Sequence, residues 1–292
     1  MKRIISLLAA ALLLISLAAC GADSGLETPG ISIGTGDSPA QKPGKVTVEP
    51  AVILDEQGMK IQIKELDAGS LFGTELKVLI ENNTDKDLTV QCRNASVNGY
   101  MVETMFSADV AAGKKANEGI TFMSSDLERC GIQTIADMEF SFHIFTTEDW
   151  DTYLDSQPVQ IKTSAADGYS YTYDHPGTQV YSGNGVEIVA KGLENDSILG
   201  PELVLYIRND SDKAVMIQSR DTSVNGFMVE TIFSEEIMPG KHAVAGVTFM
   251  DSDLEENNIA QIQDLEMSFV IMEADSWKNI AETDVVKLSF NN

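Results

Sequence analysis

Ser96-Val97-Asn98-Gly99-Tyr100-Met101-Val102-Glu103-Thr104 and Ser223-Val224-Asn225-Gly226-Phe227-Met228-Val229-Glu230-Thr231 are one phrase written twice, 127 positions apart. Asn-Gly between alternating runs is the strongest short-range hairpin signal, because both central residues of a type I′ turn need positive φ. Leu76, Val78 and Ile80 alternate with polar neighbours, as do Leu88, Val90 and Cys92 against Thr89, Gln91 and Arg93. Met138, Phe140, Phe142 and Ile144 repeat the pattern, and Leu265, Met267, Phe269 and Ile271 repeat it again in the second copy. Period-two alternation of this kind marks half-buried strands.

The same shift carries Phe122-Met123 onto Phe249-Met250, Ser125-Asp126-Leu127-Glu128 onto Ser252-Asp253-Leu254-Glu255, Trp150 onto Trp277 and Gly58 onto Gly185, without a gap. The chain therefore holds a tandem duplication. It divides into a signal at 1–19, a tether at 20–47, a first domain at 48–163, a connection at 164–178 and a second domain at 179–292. Each copy is long enough to bury a core of its own. About seven short strands separated by turns point to an all-β class, two antiparallel sandwiches in tandem.

The 292 residues carry a formal net charge of −25, with 45 acidic and 20 basic side chains. Nucleic acid is excluded as a partner on that balance, since phosphate binding needs a basic face. The only basic cluster at the start is Lys2-Arg3, ahead of an apolar run from Ile4 to Leu17 and the small-residue ending Leu17-Ala18-Ala19-Cys20. This is a secretory signal rather than a spanning helix. Its last four residues resemble the lipobox of bacterial lipoproteins. That resemblance implies diacylation of Cys20, cleavage before it, and an extracytoplasmic protein whose first partner is the membrane, reached through the Cys20 lipid. Removal of the signal takes the net charge from −25 to −27. The Gly-, Pro- and Ser-rich residues that follow read as a flexible tether, with a reach of about 30 Å at 5–6 Å × √n.

Asn82-Asn83-Thr84-Asp85-Lys86, the Asn-Gly hairpin, Gly113-Lys114 and Gly119-Ile120-Thr121-Phe122 together resemble the immunoglobulin-like domains of unknown function that recur on bacterial lipoproteins and secreted antigens. The resemblance implies an immunoglobulin-like sandwich and supplies no catalytic residues to carry over. The expected function is a binding or structural module of the cell envelope, non-enzymatic, with an envelope protein or cell-wall component as its partner and no cofactor. Two alternatives stand beside it: a calcium-stiffened tandem and an accessory subunit of an envelope hydrolase. No histidine is shared between the copies, which weighs against a duplicated nucleophilic or metal centre.

Five expectations concern particular residues. Cys92 and Cys130 are replaced together, by Ser219 and Asn257, and paired loss is what a disulfide would leave. Arg93 and Glu103, with Arg220 and Glu230, are polar positions kept beside the hairpins; with Asn98 and Asn225 they form a candidate contact surface, or else simple cross-strand ion pairs. Ser125 and Glu128 read as a capping box, with Gly131 and Asn258 as left-handed helix ends. Asp126, Glu128, Asp251, Asp253 and Glu255 are the carboxylates a calcium ion would use. Trp150 and Trp277, and the methionines among the strands, are expected in the core.

Overall fold

Alternation dictates which face of each strand turns inward, and at Met138, Phe140, Phe142 and Ile144 all four side chains are buried. The computed structural model describes residues 45–195 and 197–290. The signal, Cys20 and the tether up to residue 44 lie outside the described residues. In the first copy the strands are β1 (Val52–Glu56), β2 (Met59–Asp67), β3 (Gly73–Asn82), β4 (Leu88–Val97), β5 (Tyr100–Met101), β6 (Thr104–Met105), β7 (Ser107–Val110) and β8 (Lys115–Met123). The short helix α1 (Ser124–Arg129) and strands β9 (Asp137–Thr146), β10 (Thr152–Asp155) and β11 (Val159–Lys162) complete it. The second copy repeats this order as β12 (Thr178–Gly183), β13 (Val186–Glu194), β14 (Glu202–Asn209), β15 (Val215–Val224), β16 (Phe227–Met228), β17 (Thr231–Ile232), β18 (Ser234–Ile237) and β19 (Lys241–Phe249). It ends with α2 (Asp251–Glu256), β20 (Asp264–Glu273), β21 (Asn279–Glu282) and β22 (Val286–Ser289).

Each copy is an antiparallel sandwich. One sheet of the first runs β1-β2-β3-β8-β6, and the facing sheet is built on β4 and β9, with β5 and β7 on β4 and with β10 and β11 on β9. There are more segments than the sequence suggested because the stretch after each Asn-Gly turn is divided into three short strands, β5 to β7 and β16 to β18. Between Arg93 and Ser96, and again between Arg220 and Ser223, the register shifts, and Asn94 and Asp221 take φ of 54° and 48° there. A bulge of this kind sharpens local twist and ends regular pairing.

Gly73 shows what a glycine is needed for. At φ 153° its missing Cβ would lie 1.9 Å from the carbonyl oxygen of Phe122, and Gly200 stands in the same relation to Phe249 at 2.0 Å. Only glycine lets the start of β3, or the turn just ahead of β14, approach the neighbouring strand so closely.

The two copies are joined by more than the connecting segment. β5 adds to β19 through one parallel bridge, Tyr100 opposite His242, so a sheet of the first copy continues into a sheet of the second. The His242 amide donates to the Gly99 carbonyl at 2.9 Å.

Candidate functional site

The joint is built by an aromatic strap. Residues 164–178, expected as a short connection, are packed along the boundary instead. Tyr171 donates its hydroxyl to the Cys130 carbonyl at 2.5 Å, and the Tyr173 amide donates to the Tyr100 hydroxyl at 3.2 Å. Rings follow one another across the boundary: Tyr100 stacks on His242 at 5.1 Å and His175 stacks on Tyr206 at 4.0 Å. Lys191 Nζ lies 4.0 Å from the Tyr173 ring centre. Stacked and edge-on aromatic pairs each add about 0.5–1.5 kcal/mol beyond the area they bury. Val189, Val204, Tyr206 and Val244 of the second copy belong to the apolar core of the first. Two ion pairs flank the seam, Arg129 to Glu202 at 2.6 Å and Lys241 to Glu139 at 2.9 Å. Burial holds His242 below the ordinary histidine value and pushes the Tyr206 phenol up to about 12.

The positions that receive this contact have diverged between copies. Val189, Val204 and Val244 correspond to Gln62, Lys77 and Asn117. Only the second copy carries an apolar receiving face, so the contact has one direction.

The hairpins show the other half of that asymmetry. Tyr100 is 5% exposed because it is seated in the joint, whereas Phe227 and Met228, at the equivalent tip, are 48% and 66% exposed. The asparagines of the two hairpins are not free to contact a ligand. Asn98 donates to the Thr134 carbonyl at 2.8 Å and the Tyr169 hydroxyl at 3.0 Å, and accepts from the amides of Ala136 and Asp137. Asn225 donates to the Gln261 carbonyl and accepts from the amides of Gln263 and Asp264. Both are clamps that fix the hairpin to the loop preceding β9 or β20.

The expected Arg-Glu cross-strand pairs do not form among the described residues. Arg220 donates to Gln218 Oε1 at 2.7 Å and to the Ser219 carbonyl, Glu230 is exposed, and Arg93 and Glu103 wall a cleft of about 500 Å³ between the copies. Asp126, Arg129, Glu235 and Met216 also line it. Burial and the nearby carboxylates of Glu103 and Asp126 push Glu235 up to about 7.

The disulfide expectation is overturned: Cys92 and Cys130 are two separate free thiols. Each has its own local setting. Cys92 and Thr104 stand where the second copy has Ser219 and Thr231, whose hydroxyl oxygens lie 2.8 Å apart. Cys130 closes α1 beside the Val244 backbone, where its counterpart Asn257 donates its side-chain amide to the Asp253 carbonyl. Two independent polar replacements thus imitate paired loss. Burial pushes both thiols up to about 12, far from thiolate chemistry at neutral pH.

The capping box is also corrected. Met123 and Met250 occupy the N-cap positions with no side-chain bond. Ser125 lies inside the helix, and Asp126 and Asp253 reach sideways to the amides of Glu103 and Glu230 at 2.6 and 2.8 Å. The other ends are as expected. Gly131 and Asn258 have φ of 67° and 55°, and the amides of Gly131 and Ile132 bond the carbonyls of Glu128 and Leu127 in a Schellman arrangement.

The carboxylates suggested for calcium do not converge. With Asp126 and Asp253 spent on amides, no group of three candidate metal ligands gathers among the described residues, and Glu128, Asp251 and Glu255 point outward as exposed side chains.

Both tryptophans depart from the core expectation. Trp150 and Trp277 are 73% and 61% exposed, each with φ near +60° (62° and 56°). A bulky residue there costs about 1–2 kcal/mol against the right-handed conformation. Alternation could not reveal this, because each tryptophan sits in a turn whose geometry belongs to the strands on either side.

No family model matches the chain, and no curated protein matches it. Among solved structures the chain is similar to the YadV chaperone at 13% identity, over 73% of this chain and 92% of that one, with a TM-score of 0.24. A Salmonella enterica SafA pilin in complex with the SafB chaperone matches at 10% identity over 74% and 89%, TM-score 0.22. A Porphyromonas gingivalis protein of unknown function matches at 12% over 85% and 100%, TM-score 0.21. Overlaps at this level carry no argument about function.

Proposed function

We propose that the chain is an extracytoplasmic binding module of the cell envelope, lipid-anchored through Cys20, in which two immunoglobulin-like sandwiches act as one non-catalytic body and the second hairpin meets a protein partner. The observation that carries this reading is the unequal fate of one element. The first hairpin is seated on a sheet, with Tyr100 buried, and the second presents Phe227 and Met228 to solvent. An apolar hairpin tip already serves as a docking element inside the molecule, so its free twin is equipped for the same task outside it. The polar groups behind the tip are engaged in holding its shape, which leaves a preorganised apolar surface and lowers the ordering cost of association. Cys20, left at the new amino terminus once residues 1–19 are removed, supplies the anchor, and the acidic body keeps the module off an anionic surface.

A photoreactive residue at position 228 tests this on intact cells. A discrete envelope adduct is expected from that position and not from exposed Glu56. Equal reaction at the two positions would overturn the reading.

A further inference from the structure

The two hairpins differ in the charge set beside them as well as in exposure. In the joint, Met101 packs against the core of the second copy, and Arg129, the last residue of α1, crosses to Glu202 at 2.6 Å. The position 127 residues on is Glu256, the last residue of α2, and it is exposed. α2 carries Asp251, Asp253, Glu255 and Glu256 and no base. The free tip, Phe227 and Met228, therefore has acid beside it where its seated twin has a cation.

The seat of the first hairpin is a sheet face with an apolar centre, Val189, Val204, Tyr206 and Val244. A second molecule of this chain has no such face to offer. On its second copy the face is covered by its own first hairpin. On its first copy the matching positions are Gln62, Lys77, Leu79 and Asn117, and Lys77 pairs with Glu65 at 3.6 Å and Asp67 at 3.2 Å. An apolar tip laid there would strip water from these charges. Glu75 lies over Gly119 as Glu202 lies over Gly246, so Glu256 would meet a like charge at the place where Arg129 meets an opposite one. The docking element is repeated, and the chain's own copies are rejected as its seat.

We propose that the second hairpin and α2 dock on a β-sheet face of another protein, one with an aliphatic centre and an arginine or lysine placed to pair with Glu256. The contact repeats the internal joint with its Arg129–Glu202 pair reversed, and it rests on the docking role proposed above for the second hairpin.

The seat can be built on this chain. In the mature chain with Cys20→Ser, which removes the lipid, Gln62→Val, Lys77→Val, Leu79→Tyr and Asn117→Val copy the apolar face and Glu75→Arg adds the base. Sedimentation equilibrium is expected to show one species for the chain with its native face and a concentration-dependent series for the five-residue variant, since a contact between unlike surfaces does not close on itself. Keeping Glu75 is expected to weaken association at least tenfold, and Glu256→Arg in that background to restore it. Phe227→Ser with Met228→Ser is expected to abolish it. A single species in the five-residue variant with native dichroism, equal association with Glu75 kept, or association that survives the loss of Phe227 and Met228 would overturn the proposal. So would association of the chain with its native face that those two serines abolish. A second measurement needs no built face: on intact cells, Glu256→Arg alone is expected to cut the adduct from position 228 at least tenfold. An adduct indifferent to Glu256→Arg would overturn the proposal and leave the docking role standing, whereas no adduct from the native chain would remove that role itself.

Discussion

Asn98 shows how much one side chain can decide. Its amide satisfies two acceptors and its carbonyl two donors, so the tip of the first hairpin, the loop before β9 and the strap residue Tyr169 are held at one point. Loss of such a group leaves buried polar partners unsatisfied, at about 1–3 kcal/mol each at most and less where water reaches them. Asn98→Ala is expected to lower stability by about 2–4 kcal/mol in urea denaturation. Asn225→Ala, without a counterpart to the Tyr169 bond, should lose about 1 kcal/mol less. Cys92→Ser installs what the second copy already holds at Ser219, and should stay within about 0.5 kcal/mol. Equal, small effects of all three would contradict the clamp. The Asn-Gly signal made the hairpin legible in the sequence. It could not show that the asparagine side chain turns inward, because the carbonyl and amides it meets lie 36 to 39 positions away.

At the scale of elements, strands were legible and their environment was not. The alternation from Met138 to Ile144 fixes which face of β9 is buried, and the shift of 127 positions fixes that β20 repeats it. β7 and β18 also repeat each other, yet Ala108 on the first faces its own core while Glu235 at the matching place on β18 faces the other copy. Nothing in a single strand announces such a neighbour. Glu235 meets Glu103 from the link between β5 and β6, and Asp126 and Arg129 from α1. Burial first, and then the two carboxylates, raises its folded value from 4.5 to about 7. The folded state therefore holds a proton that the unfolded chain releases between those values, so stability falls as pH rises through that window and levels off above it. A tenfold change in proton affinity is worth about 1.4 kcal/mol, and partial solvent access holds the whole effect to about 1–3 kcal/mol. Chemical denaturation at pH 5 and pH 8 is expected to show this loss in the native chain and not in Glu235→Gln. Parallel pH profiles for the two would contradict the placement of Glu235.

For the whole molecule, the duplication was plain and the union of the copies was not. Tyr169, Tyr171, Tyr173 and His175 read as a connection because they have no partner in the repeat. They have none because a segment that exists once, between two copies, can only serve the boundary. The polar residues Gln62, Lys77 and Asn117, where the second copy has Val189, Val204 and Val244, were a visible sign that the copies had taken different roles. That sign gains meaning only when Tyr100 is seen lying on the second sheet. Fusion of the copies by strap, bridge and ion pairs is what makes one hairpin internal and leaves its twin free.

Spin labels at Glu56→Cys and Asp212→Cys, one on each copy, with Cys20→Ser, Cys92→Ser and Cys130→Ala removing the three native cysteines, measure that fusion by pulsed dipolar spectroscopy. A single narrow distance distribution is expected, unchanged between low and high salt and broadened when Tyr171 and Tyr173 are both replaced by serine. A broad or multiple distribution in the chain with its strap intact would contradict the account.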